Sequence, residues 1–133
     1  LYVQGGRLRH TYSFQGLKLD TITASKPLPT GKVNVRYEFT ADTPGKMATG
    51  GMSRLFVNDE QVAEGRIEHS VPLRFSGYAG MDIGRDNGLP VSPSYYYYWK
   101  APFPFAGKIE KVEITLQPRP SGVRSQRTTG VSP

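Results

Sequence analysis

Residues 53–68, SRLFVNDEQVAEGRIE, constrain the fold more than any other stretch of the chain. Side chains alternate across a strand, so Leu55 and Val57 face one way and Arg54 and Phe56 the other. Beyond Asn58-Asp59-Glu60-Gln61 the alternation resumes. Ala63, Gly65 and Ile67 share one face, and Glu64, Arg66 and Glu68 share the opposite one. Asn and Asp tolerate the left-handed backbone of a tight reversal, although no glycine is present to fix the turn type. The stretch predicts a β-hairpin with Gly-rich loops on both sides, the middle of a β-sandwich with its loops at the rim.

The rest of the chain follows the same period. Residues 1–3 and 7–14 form a hairpin signature about Gln4-Gly5-Gly6, with Leu8, His10, Tyr12 and Phe14 on one face. Residues 17–25 predict a third strand. Leu17 and Leu19 are in phase and Ile22 out of phase, which calls for a bulge or for burial on both sides. Pro27 and Pro29 lack backbone donors, so residues 26–31 predict a loop. Residues 32–40 alternate cleanly, with Val33, Val35, Tyr37 and Phe39 against Asn34, Arg36, Glu38 and Thr40. That pattern predicts one buried and one solvated face. Residues 42–52 and 77–88 read as loops, 71–76 as a short strand, and 108–117 as a closing strand with Val112, Ile114 and Leu116 inward. No stretch has helical periodicity. The pattern predicts an all-β antiparallel β-sandwich or barrel over residues 1–117 and a disordered basic tail over 118–133.

Composition narrows the chemistry. At 133 residues the chain makes one domain with a core of its own, and the absence of cysteine removes disulfides, thiolate nucleophiles and Cys-type zinc sites. No apolar run is long enough to span a membrane. The chain opens on Leu1 within a strand pattern, which reads as a piece of a longer polypeptide. The formal charge is +6, half of it carried by Arg119, Arg124 and Arg127 of the acid-free tail. The body lacks the clustered basic stripe that nucleic-acid binding requires, so no nucleic-acid partner is expected.

Catalytic constellations are weak. His10 and His69 stand in no metal-ligand spacing, no serine sits in a Gly-x-Ser-x-Gly elbow, and Gly45-Lys46 lacks the Walker spacing. Two features offer binding chemistry. Asp82, Asp86 and Asn87, spaced by Gly80, Gly84 and Gly88, carry oxygens that suit calcium, with Asp82 and Asp86 as the candidate ligands. The same residues are ordinary turn formers. Tyr95–Trp99 is an aromatic run in which Tyr97 and Trp99 share a face. Flat aromatics beside Asp and Asn suit a glycan, and equally suit the core or an interface with another protein surface.

Several blocks resemble the C-terminal domain of long bacterial arylsulfatases. They are KPLPTGK (26–32) with VRYEF (35–39), RLFVND…VAEGRIEHSVPLRFS (54–76), MDIGRDNGLPVS (81–92) and FAGKIEKVEITL (105–116). The resemblance runs from residue 1 to about 117. Asn58-Asp59 departs from it by lacking the expected glycine, and 95–98 by its excess of tyrosine. It implies a jelly-roll or concanavalin-like sandwich that follows a catalytic sulfatase domain in a bacterial enzyme, while the sequence leaves the compartment open. That parent would hydrolyse sulfate esters with a formylglycine, made from a Cys/Ser-x-Pro-x-Arg motif, and a divalent cation. The motif is absent here, so no catalytic residue carries over. The expected role is a non-catalytic accessory domain, partnered by the catalytic domain or a further copy in an oligomer. The alternative is a lectin-like module binding a glycan through Asp82, Asp86, Asn87, Tyr97 and Trp99.

Overall fold

The computed structural model describes residues 1–72, 80–87, 92 and 103–117, and these form an all-β arrangement of antiparallel sheets. Of the expected strand at 71–76, residues 71 and 72 form no strand and 73–76 lie outside the described residues, as do the aromatic run with Tyr97 and Trp99 and the tail 118–133. The first sheet has the order β1 (Tyr2–Gln4), β2 (Arg7–Phe14), β3 (Lys18–Thr23). The second has the order β4 (Val35–Ala41), β5 (Gly51–Val57), β6 (Glu60–Ile67). A small ribbon pairs β7 (Arg85–Asp86) with β8 (Phe103–Pro104).

Both predicted hairpins form. Gly5 and Gly6, at φ of 57° and 71°, make the two-residue turn between β1 and β2. Asn58 and Asp59 do the same between β5 and β6, at φ of 49° and 67°. Two successive left-handed residues match the right-handed twist of the flanking strands. The reversal is therefore shorter than the sequence reading, and Glu60 already belongs to β6. A bulge follows: Leu55 opposes Ala63 but Phe56 opposes Gln61, so Val62 is the extra residue. The bulge turns both Val62 and Ala63 onto the core.

The two sheets share that core. Leu8, Ala24 and Leu55 are buried at its centre, with Val3, Ile22, Leu28, Tyr37 and Val57 packed around them. Leu8 faces inward, and His10 on the same face stacks on Tyr37 of the opposite sheet with ring centroids 3.9 Å apart. The sheets meet along β3 and β6. Ser25 N donates to the Val62 carbonyl at 3.0 Å, and Ile22 lies on the bare backbone of Gly65, where a Cβ would come within 2.3 Å of its Cγ2.

Three expectations are corrected. The β2–β3 register runs unbroken from Phe14↔Lys18 to Arg9↔Thr23, so β3 has no bulge among the paired residues. Ile22 takes the inner face, and Leu17 is left 82% exposed with Leu19 also exposed. The close contact with Gly65 decides which residue turns in. Residues 32–34 lie outside β4, and Val35 and Phe39 are exposed because β4 is the edge of its sheet. Residues 108–117 carry no strand pairing, and Val112, Ile114 and Leu116 are 50%, 65% and 85% exposed rather than inward. Alternation in sequence prepares a strand, but a strand needs a partner edge to exist.

The loop between β4 and β5 is tied at its neck. Asp42 N donates to the Gly50 carbonyl, and Arg66 grips both oxygens of Asp42 at 3.1 and 2.6 Å. Gly50 leaves no room for a side chain there, since a Cβ would meet the Glu68 carbonyl oxygen at 2.5 Å.

Candidate functional site

Residues 80–87, the described part of the loop that the sequence singled out, turn around Asp82. Its Oδ2 accepts from Asn87 N at 2.9 Å and its Oδ1 from Asn87 Nδ2 at 3.0 Å. These hydrogen bonds hold the Asp82 carboxyl below the usual carboxylate range, the backbone donor contributing most. Asp86 lies in β7, fixed by pairing with Phe103. Asp82 and Asn87 are thus brought together, but as partners of one another. Each Asp82 oxygen accepts one hydrogen bond from Asn87 and keeps a further lone pair. Among the described residues no group of three or more His, Asp or Glu converges on a point.

Beside this loop is an open cleft of about 490 Å³, lined by Ile83, Gly84, Phe105, Gly107, Ile109 and Val112 together with the charged Glu110 and Lys111. Phe105 N donates to the Gly84 carbonyl at 2.8 Å, which carries the β7–β8 ribbon into the cleft wall. Ile83, Phe105, Ile109 and Val112 are all exposed. Exposed apolar side chains grouped in this way mark a surface for interaction with a partner or ligand. The sequence reading fixed on the polar residues of 82–87 and passed over Ile83. Its signal was present all the same: an isoleucine within a Gly- and Asp-rich loop is an apolar residue with no strand to bury it.

A second space, of about 340 Å³, opens where β3 and β6 diverge, with Asp20, Ser53, Glu64 and Arg66 at its walls and His10 behind them. Tyr37 Oη and Ser53 Oγ are 3.0 Å apart, and Ser53 is buried. Burial pushes the Tyr37 phenol up, against the Ser53 hydrogen bond. Burial pushes His10 down to about 4, so its imidazole is neutral at pH 7. His10, Tyr37 and Ser53 are a polar thread through the core, joined by ring stacking and one hydroxyl pair. His10 makes no nucleophile–base pair with Ser53, whose partner is the Tyr37 hydroxyl. His69 sits apart, tilted against Phe14 at 6.3 Å.

Comparison with known proteins finds no matching family model, no matching curated protein and no matching solved structure. The likeness to arylsulfatase C-terminal domains therefore rests on the blocks quoted above. Of these, 35–39 and the 54–67 part of the second contribute to β4, β5 and β6, and 105–112 borders the open cleft.

Proposed function

We propose that this chain is a non-catalytic accessory domain of an arylsulfatase, a jelly-roll or concanavalin-like sandwich that packs on the catalytic domain of its parent chain or at an oligomer interface. The observation that carries the reading is the exposed group of Ile83, Phe105 and Ile109 in the open cleft, which leaves isoleucine and phenylalanine side chains in water beside Glu110 and Lys111. Burying such side chains against a partner is worth roughly 25 cal/mol per Å² of apolar surface. The resemblance names the partner, since the domain it resembles follows a sulfatase domain in the same polypeptide.

The test is association between this chain and the separately produced catalytic domain of its parent, read by analytical ultracentrifugation. Wild type should bind, while Ile83→Asp and Phe105→Asp should weaken binding at least tenfold, or about 1.4 kcal/mol each. The purified chain alone should not turn over an aryl sulfate. No association with the wild-type chain would sink the reading. Saturable binding to a sulfated or unsulfated glycan, lost in Asp86→Ala or Trp99→Ala and dependent on calcium, would replace it with the lectin-like alternative.

A further inference from the structure

We infer that the chain forms a two-fold dimer in which β4 pairs antiparallel with β4 of a second copy, the axis passing through Tyr37. The sheet order β4-β5-β6 leaves β4 with one strand neighbour among the described residues. Its backbone groups divide by parity. The Asn34 carbonyl accepts from Asn58 N, Asp42 N donates to the Gly50 carbonyl, and the register between these two bonds is unbroken. Hydrogen-bonded pairs alternate along an antiparallel ladder, so residues 34, 36, 38, 40 and 42 turn their backbone groups toward β5. Val35, Tyr37, Phe39 and Ala41 turn theirs to the open edge, and no proline among them removes a donor. Such an edge is a template for another strand.

Parity and charge together select one register. Odd residues must oppose odd residues, which puts a two-fold axis on a residue rather than between two. Centred on Arg36 or on Glu38, the axis sets like charges face to face. Centred on Phe39, it sets Glu38 against a threonine and Arg36 against Asp42, which Arg66 already holds. Centred on Tyr37, it sets Arg36 against Glu38 of the partner subunit, and the symmetry repeats that pair. Both side chains stand about half exposed on the outer face, where Arg36 Nε and Glu38 Oε1 are 3.3 Å apart. The same register sets Val35 against Phe39 of the partner subunit, a β-branched residue beside an aromatic one, and both are exposed in the single chain. The result joins two three-stranded sheets into one continuous sheet. A two-fold contact closes on itself, so association through β4 stops at the dimer. The edge shares no residue with the cleft of Ile83, Phe105 and Ile109, so this inference does not rest on the accessory-domain reading.

Sedimentation velocity over a concentration series tests it, and the particle mass of the full chain should double as concentration rises. Arg36→Glu sets carboxylates opposite one another across the axis, and Glu38→Arg sets cations opposite one another. Each should weaken self-association at least about tenfold. Mixing the two variants should give heterodimers, and the double variant R36E/E38R should dimerise again, because both arrangements restore opposite charges. Circular dichroism establishes that each variant is folded. Hydrogen exchange on the unmodified chain provides the second reading. The amides of Val35, Tyr37 and Phe39 should gain protection as the dimer forms, while those of Arg36, Glu38 and Thr40 should be protected at every concentration. A chain that stays monomeric, folded single variants that dimerise like wild type, or a mixture of folded variants that fails to pair would each overturn the inference. So would odd-numbered β4 amides whose exchange is indifferent to concentration.

Discussion

At the scale of single residues, Gly65 and His10 set the spacing and the pH response of the interior. Gly65 is the point where the sheets touch, with Ile22 resting on its backbone. Gly65→Ala forces a methyl into that contact and should destabilise by about 1–3 kcal/mol, the usual cost of overpacking a tight core. Urea unfolding measures it, and Ile22→Ala in the same background should recover part of the loss, because a double-mutant cycle isolates contacts between neighbours. His10 titrates at about 4 when folded and near 6.5 when unfolded. Burial is the main cause, and the Leu1 α-amino group adds to it. The unfolded chain therefore binds a proton in a window where the folded one does not. Stability held above pH 6.5 should fall as the pH drops from there towards 4, by on the order of 2–3 kcal/mol in full. Denaturation midpoints across that range check this. His10→Phe keeps a ring against Tyr37 and should flatten the slope; a slope unchanged in that variant would assign the effect elsewhere.

At the scale of elements, the turn at Asn58-Asp59 shows what local chemistry decides. Both residues hold left-handed backbone, which costs a non-glycine residue roughly 1 kcal/mol. Asn58 offsets its share by accepting from Asn34 N through its side chain at 3.0 Å. Asp59 has only a long, exposed contact with Arg36. Asp59→Gly should therefore stabilise by about 0.5–1 kcal/mol, and Asp59→Val should destabilise, both read from thermal or urea melts. The hairpins were legible because turn residues and alternation agreed over the same few positions. The phase of β3 was not, since Leu17 and Leu19 look as apolar as Ile22 and only the contact with Gly65 says which turns inward. Asp82 was legible as an acid in a Gly-rich loop; that Asn87 would bond to both its oxygens depends on backbone path, which composition does not carry. The exposed cleft was not legible because alternation says nothing of Ile83 in a loop, nor of Ile109, which falls out of phase with Val112, Ile114 and Leu116.

At the scale of the whole molecule, one core serves both sheets, so they should unfold together. Leu55 is fully buried at its centre. Leu55→Ala should cost about 2–5 kcal/mol, and amide protection of β2 and β5 should fall by the same amount if the domain is a single cooperative unit. Loss confined to the second sheet would show two units instead. The neck of the β4–β5 loop has a separate consequence. Asp42, Gly50 and Arg66 hold the two strands at the loop's base, while Lys46 and Met47 stand exposed beyond it. A single tryptic nick at Lys46 would therefore leave the ladder between β4 and β5 closed, and the two pieces would remain one particle. Two fragments divided there should therefore find each other on mixing, with the paired β4 and β5 as the sign that they have met.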